Sequence, residues 1–354
     1  MRTITSEWKS DIEQAATADL LGNLPASAAE KDVHITDALR ELSRIRVVHT
    51  AHRISQKKGD LRPGTIDITS QLVFAGGTCL SKAHGLIERM SEDIDIKVVL
   101  EEVPDGYAMA NRQSDRARLG DIQTRVCDQL ESIGFTLTVV EDESNPVLRD
   151  NRRYYCLAVD YNPEFTDISG VLRPQLKVEL IHRHPKLELH MLDFGYLADR
   201  FIGRESVERV QVPCISIAET LAEKVLSLLR RCAWYWDGYQ RGDFDTALVR
   251  HIYDVWRINT SSPEAVDEAA EVFEALVLKD AEEFEGQNPE FDADPYVILR
   301  RALTRAATDD GLRNNFDQRL VPLLFAEDKP TFDTCFSSFN AVAETLLSSQ
   351  AVVR

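Results

Sequence analysis

The 354-residue chain has no Cys-x-x-C pair: its six cysteines (Cys79, Cys127, Cys156, Cys214, Cys232 and Cys335) are scattered. Structural zinc sites draw on closely spaced ligand pairs, so no such site is expected, and the thiols are read as buried groups in a reducing compartment. No apolar run approaches the roughly 20 residues that span a bilayer, so no membrane partner is expected. The opening stretch MRTITSEWKSDIEQ is polar and acidic, unlike a secretory signal, and a cytoplasmic protein is the expectation. Internal repeats and low-complexity linkers are missing, and 44% apolar with 28% charged residues excludes a collagen-like or largely disordered chain. Positive charge is in deficit: 41 Lys and Arg stand against 59 Asp and Glu, a net −18. Phosphate contacts supply non-specific nucleic-acid affinity, so the chain as a whole is a poor binder of that kind. The deficit is uneven, because Glu264 to Pro295 holds twelve acids and one lysine, a net −11, and the rest carries −7. That block reads as a solvated helix face or a surface for a basic partner, and a local basic groove elsewhere is still open.

At roughly 150 residues per domain the length suggests about two domains. Ile35, Leu39, Leu42 and Ile45 recur at helical spacing, and residues 1 to about 55 read as helices. Gly59 to Thr65 reads as a loop. Gln71 to Ala75, Ile94 to Leu100, Phe135 to Val140, Tyr154 to Tyr161 and Gln175 to His182 read as strands, and Arg112 to Ile133 as a helix. From Ser216 the pattern is helical almost to the end. The expected fold class is α+β: a mixed-sheet core over residues 61–205, a helical N-terminal segment over 1–60 and a helical C-terminal domain over 206–354.

Four features carry chemistry. Phe74 to Lys82 runs from a strand through Gly76 and Gly77 into a helix that Thr78 is placed to cap. Glycines let backbone approach a ligand, and a helix start favours phosphate; by itself such a pair is more often a plain turn. Asp93 and Asp95 flank Ile94, so on a strand both carboxylates share one face while Ile94 and Ile96 face a core. Such a pair suits a hard cation such as Mg²⁺, and taken alone is more often two solvated acids on an exposed edge. Leu176, Val178 and Leu180 form one strand face, and Lys177 and Glu179 the other. Glu179 becomes a third carboxylate if this strand lies beside Asp93; otherwise it pairs with Lys177. Finally, Ser216 and Glu219 form a capping box, and Lys224 falls inside the apolar stripe of Ile217, Leu221, Val225 and Leu228. A lysine there either snorkels outward or meets an anion.

A glycine pair followed by Asp-x-Asp and then an acid-bearing strand is the layout of the polymerase-β-like nucleotidyltransferases. The wording is closer still. Phe74-Ala75-Gly76-Gly77-Thr78, Leu80-Ser81-Lys82 and Ile87 through Asp95 resemble the AbiEii/AbiGii-type nucleotidyltransferase toxins. Glu30-Lys31-Asp32 resembles the start of that domain, Ala222-Glu223-Lys224-Val225 its lysine helix, and Arg250 through Val255 its final aspartate motif. The resemblance runs from about residue 30 to about 257.

It implies an enzyme that uses an NTP substrate with Mg²⁺ or Mn²⁺. Catalytic residues would be Asp93, Asp95, Glu179, Lys224 and Asp254. Gly76, Gly77, Thr78, Ser81, Lys82 and Lys224 would contact the nucleotide, and Asp93, Asp95 and Glu179 the metal. Asp254 would hold Lys224 or the nucleotide, although alone it reads as a surface partner of Arg250 or Arg257. Asp160 rivals Glu179 as the third acid. The implied protein is the toxin of a type IV toxin–antitoxin or phage-defence system, with a tRNA 3′ end as acceptor and a cognate antitoxin encoded nearby. Transfer to an aminoglycoside-like small molecule or a partner protein is the alternative, and a non-catalytic nucleotide-binding regulator is the third reading. His182, His184 and His190 read as surface, Trp234 and Trp236 as core or interface, and Lys57, Lys58, Arg62, Arg149, Arg152 and Arg153 as solvated loop cations that could meet RNA.

Overall fold

A computed structural model describes residues 1–54, 62–109, 114–140, 152–167, 170, 172–206, 209–239 and 242–348. Lys57, Lys58 and Arg149 lie outside these residues. The chain divides into two compact units: Met1–Ala83, Glu92–Pro185 and His190–Cys214 form the first, and His84–Ser91, Lys186–Leu189 and Ile215–Arg354 the second.

In the first unit, α1 (Ser6–Thr17) begins at Thr5, whose hydroxyl accepts from the Trp8 amide at 3.2 Å. Helix α2 (Ala26–Ser43) is buried almost all round, with Ala29, Ile35 and Ala38 at 0% exposure. Three consecutive charged residues on it, Glu30, Lys31 and Asp32, are buried as well. Buried charges persist only when partnered. Glu30 accepts from the backbone amides of Glu164 and Phe165 at 2.8 and 2.9 Å. Asp32 takes Lys82 at 2.5 Å and the Leu197 amide at 2.6 Å.

The strands are β1 (Val48–Arg53), β2 (Thr65–Ala75), β3 (Asp93–Leu100), β4 (Tyr107–Met109), β5 (Thr136–Val139), β6 (Tyr154–Asp160), β7 (Leu176–His182), β8 (His190–Phe194) and β9 (Val210–Cys214). The spatial order is β4, β1, β2, β3, β7, β6, β5, with β9 paired to both β2 and β8. The sheet is mixed: β3 and β7 run parallel, and β2 with β3 and β6 with β7 run antiparallel. The short helix α3 (Gly76–Lys82) follows β2 directly, and α4 (Asp115–Ser132) and α5 (Leu197–Phe201) complete the unit. The α+β class with a mixed sheet is therefore the one the sequence implies.

Two local readings need correction. Residues 48–53, read as helix, form β1, because Val48 to His52 pair with Thr65 to Thr69 of β2 and the ladder overrides a weak helical preference. Thr78 does not cap α3: the cap position is Ala75, and the Thr78 hydroxyl bonds the Asp93 carbonyl instead. Five of the six cysteines are buried, Cys127 is half-buried, and all are free thiols.

The second unit is built on α6 (Ile217–Trp236), which packs against α7 (Arg250–Ser261), α8 (Ala265–Glu283), α10 (Pro295–Ala306) and α12 (Phe332–Ser348), with α9 (Pro289–Ala293) and α11 (Asp310–Asn315) completing it. Ser216 caps α6 by accepting the Glu219 amide at 3.0 Å. The Glu219 carboxylate also accepts from the Lys186 and Leu187 amides at 2.7 and 2.9 Å. Trp234 is core, edge-on to Phe284 and Phe291 at ring separations of 5.4 and 6.1 Å. Within the acidic block, Asp280 is buried and paired with Arg230 at 2.9 Å, so the block is not wholly a solvated face. The segment His84–Ser91 is strapped in place by Met90 donating to the Leu323 carbonyl at 2.9 Å and Phe325 donating to Glu88 at 3.0 Å. Among the described residues, no helix is long and apolar enough to cross a membrane.

Candidate active site

The acidic cluster of the first unit follows from strand periodicity and one register. On β3, Ile94 and Ile96 are buried at 0% and 3%, which turns Asp93 and Asp95 to the other face. In the parallel pairing with β7, Asp93 stands opposite Lys177 and Asp95 opposite Glu179. Paired residues share a face, so three carboxylates and one lysine occupy the corners of one block. Asp160 is not in it: β6 presents Cys156 to Glu179, and Asp160 lies four residues further along, opposite Thr136 of β5.

Each acid has a partner. Arg173 holds Asp93 at 2.6 Å, and Lys177 holds Glu179 at 2.5 Å. Tyr154 donates to Glu179 at 2.6 Å, and Asp95 lies within hydrogen-bonding reach of it. Burial alone would raise the Glu179 carboxyl, but Lys177 and Tyr154 outweigh it and hold the group below its ordinary range. Burial would likewise strip the Lys177 charge, and Glu179 with Asp93 reverses that, so its ammonium is held on. The Tyr154 phenol is pushed far up by burial and by Glu179.

Gly76 closes the edge of this block. Its φ is +72°, which an L side chain rarely adopts, and a Cβ there would lie 1.8 Å from Asp95 Oδ2. Only glycine lets the β2–α3 turn pass so close to the carboxylate. Gly77 and Thr78 are buried beneath it, and Ser81 is half-buried on α3. Lys82, expected at the nucleotide, has its ammonium engaged by Asp32 at 2.5 Å and 5.6 Å over the Phe194 ring.

Hard carboxylate oxygens fit a divalent cation such as Mg²⁺ in kind and charge. Among the described residues, no three His, Cys, Asp or Glu side chains are gathered round one point. A metal at this block would be held by Asp93, Asp95 and Glu179 in place of their contacts with Arg173 and Lys177.

The second unit contains its own charged cluster. Asp254 on α7 is fully buried and takes Arg89 through Nε and an Nη, both at 2.7 Å, and Lys224 of α6 at 2.7 Å. Burial would raise the Asp254 carboxyl, but Arg89 and Lys224 overcome it and hold the group far below its ordinary range. Lys224 therefore neither snorkels nor stands unpaired, and Asp254 is not a surface partner of Arg250 or Arg257. His251 is held neutral by burial and by the Lys224 charge.

Sequence reasoning missed Arg173, which sits in a loop with no periodic signal, and Tyr154, which lies two residues from Cys156 on the face of Glu179. Arg89 was inside a recognised motif without a role. Of the loop cations, Arg152 is bonded to Gln123 at 2.9 Å and Arg62 accepts at its carbonyl from Arg53 at 2.5 Å. His182 bonds the Val98 carbonyl at 3.0 Å and lies edge-on to His184, with ring centroids 5.6 Å apart.

The order of glycine turn, Asp-x-Asp strand, acid strand and lysine helix is that of a nucleotidyltransferase. The family described as "Nucleotidyl transferase AbiEii toxin, Type IV TA system" matches residues 66–338, more than half of the chain, and the chain belongs to that family. It is accordingly a nucleotidyltransferase toxin of a type IV toxin–antitoxin system. No curated protein matches the chain. Among solved structures it is similar to MenT4, a nucleotidyltransferase toxin from Mycobacterium tuberculosis H37Rv, at 21% identity over 71% of each chain with a TM-score of 0.35.

Proposed function

We propose that the protein transfers a nucleoside monophosphate from an NTP to an RNA acceptor, the 3′ end of tRNA, with a divalent cation, Mg²⁺ or Mn²⁺. The observation that supports this most is the β3–β7 register, which sets Asp95 across from Glu179 and Asp93 beside them, next to the Gly76 turn. Asp93, Asp95 and Glu179 would hold the cation. Gly76, Gly77, Thr78 and Ser81 would line the triphosphate. Lys224 would offset phosphate charge, with Asp254 orienting it through their 2.7 Å contact. Held there, the metal would supply Lewis-acid stabilisation of the phosphoryl oxygens and the leaving pyrophosphate. In-line attack by the acceptor hydroxyl at the α-phosphorus would form the new P–O bond as the bond to pyrophosphate breaks, and Glu179 would help to take the hydroxyl proton. The reaction would proceed in the cytoplasm and be countered by a cognate antitoxin.

The test uses purified full-length protein, Mg²⁺, total tRNA and each of the four NTPs labelled at the α-phosphate, with Asp95→Ala as control. Label on tRNA with wild type alone, and a loss of at least about 10³-fold in the variant, is the expected result. No label on RNA would remove tRNA as acceptor. The −18 net charge favours a cationic small acceptor as the second reading, and the same labelled reaction with aminoglycosides, and with protein extract, checks it.

A further inference from the structure

Arg173 lies on none of the family-like motifs, yet its guanidinium bonds the Asp93 carboxylate. Its backbone is fixed on both sides by a buried ion pair. Lys31, at 0% side-chain exposure, reaches Glu92, at 1%, across 2.6 Å. Lys31 also donates to the Arg173 carbonyl at 2.5 Å, and the Arg173 amide donates to Glu92 at 2.6 Å. Glu92 immediately precedes Asp93 in the chain. One ion pair therefore sets both the start of the aspartate strand and the root of the Arg173 side chain. The guanidinium beyond that root is 41% exposed and bonds Asp93 Oδ1 at 2.6 Å.

The charges decide what such an arginine can do. Counted at formal charges, Asp93, Asp95 and Glu179 stand against Lys177 and Arg173, which gives the block one net negative charge. That charge favours a divalent cation and opposes a triphosphate. Once a divalent cation is held by the carboxylates, Asp93 has exchanged its partner and the block is net positive. The guanidinium would then swing on a stem whose root the ion pair holds, which leaves its donors beside the block for an anion that enters. A planar guanidinium is the side chain best matched to phosphate oxygens. Lys177 differs: it is rooted in β7 itself, opposite Asp93, and not in the loop beside the block.

Building on the nucleotidyltransferase reading of this site, we propose that Arg173 is a substrate-binding residue that exchanges partners: it holds Asp93 until a divalent cation takes that carboxylate, and then binds the nucleotide's triphosphate. The exchange couples the two ligands. Cation binding alone is weakened because Arg173 competes for Asp93, and nucleotide binding is strengthened because the displaced guanidinium is delivered to it.

The test measures, on full-length protein, Mn²⁺ binding alone by electron paramagnetic resonance. Binding of each of the four α,β-methylene nucleoside triphosphates with saturating Mn²⁺ is then measured by calorimetry. Arg173→Met keeps both backbone contacts and removes only the guanidinium. It is expected to bind Mn²⁺ about threefold or more tighter and the Mn²⁺–nucleotide analogues about tenfold weaker. Arg173→Lys is expected to recover part of the nucleotide affinity. A purely structural role would lower both affinities together with the unfolding midpoint, and that result overturns the proposal, as does an Arg173→Met protein with both affinities unchanged. If wild type binds neither Mn²⁺ nor any analogue, the nucleotidyltransferase reading of the block fails and the proposal falls with it. If wild type binds both and only the opposed shifts are missing, the proposal alone fails.

Discussion

Replacing Asp254 by Asn tests the buried cluster of the helical unit. Asp254 is fully buried, and the side chains of its partners Arg89 and Lys224 are only 3% and 8% exposed. The substitution removes three charge-assisted contacts, each 2.7 Å long, and strands two cations in the interior. Removing one partner from a buried ion pair costs about 3–5 kcal/mol. For a unit of this size each kcal/mol moves the midpoint by about 2–4 °C, so a fall of roughly 10 °C is expected for the corresponding calorimetric transition. The pH dependence has a definite sign. The folded carboxyl is depressed below the ordinary value of 3.8, so its contribution is fully present above that value and is lost only as pH falls through the lower folded one. The gap between wild type and Asp254→Asn is therefore constant from pH 7 to pH 5. Adding Arg89→Gln removes one stranded cation and should return part of the loss, which a double-mutant cycle measures. A single variant that melts within about 2 °C of wild type, or a gap that shrinks between pH 7 and 5, would refute the reasoning.

Two more outcomes are expected. Gly76→Ala meets a left-handed backbone that costs about 1–2 kcal/mol and puts a Cβ 1.8 Å from Asp95 Oδ2. The carboxylate must move, so the labelled-transfer rate should fall about 100-fold with only a modest drop in the urea midpoint, and an unchanged rate would show that Asp95's position is not critical. His251 is depressed by burial and by Lys224, so its neutral form stabilises the fold fully above the unfolded value of 6.5 and this stability is lost as pH falls below it. His251→Gln should therefore lose less stability than wild type between pH 7 and pH 5, by up to about 1.4 kcal/mol per pH unit, and parallel urea titrations of the two proteins would contradict this.

The parts of this protein legible in the chain are those whose cause is local. Alternation at Asp93, Ile94, Asp95 and Ile96 announces a strand with its acids on one face, because strand side chains alternate whatever the strand pairs with. The stripe of Leu221, Val225 and Leu228 announces α6 and marks Lys224 as out of place. The glycine turn at Gly76 is visible as a pair of residues without side chains, though its left-handed φ and the approach of Asp95 are what explain why that position tolerates nothing else. Tertiary structure decided the partners. Residues 48–53 became β1 because β2 offered a ladder, and Glu179 rather than Asp160 joined the acids because the β3–β7 register puts it there. Lys82 went to Asp32, fifty residues away, and Asp254 to Arg89, 165 residues away. Arg173 met Asp93 across 80 residues of chain. Short-range periodicity follows from backbone geometry and is written in neighbouring residues. Which charge meets which is set by sheet register and helix packing, which depend on the whole core closing at once.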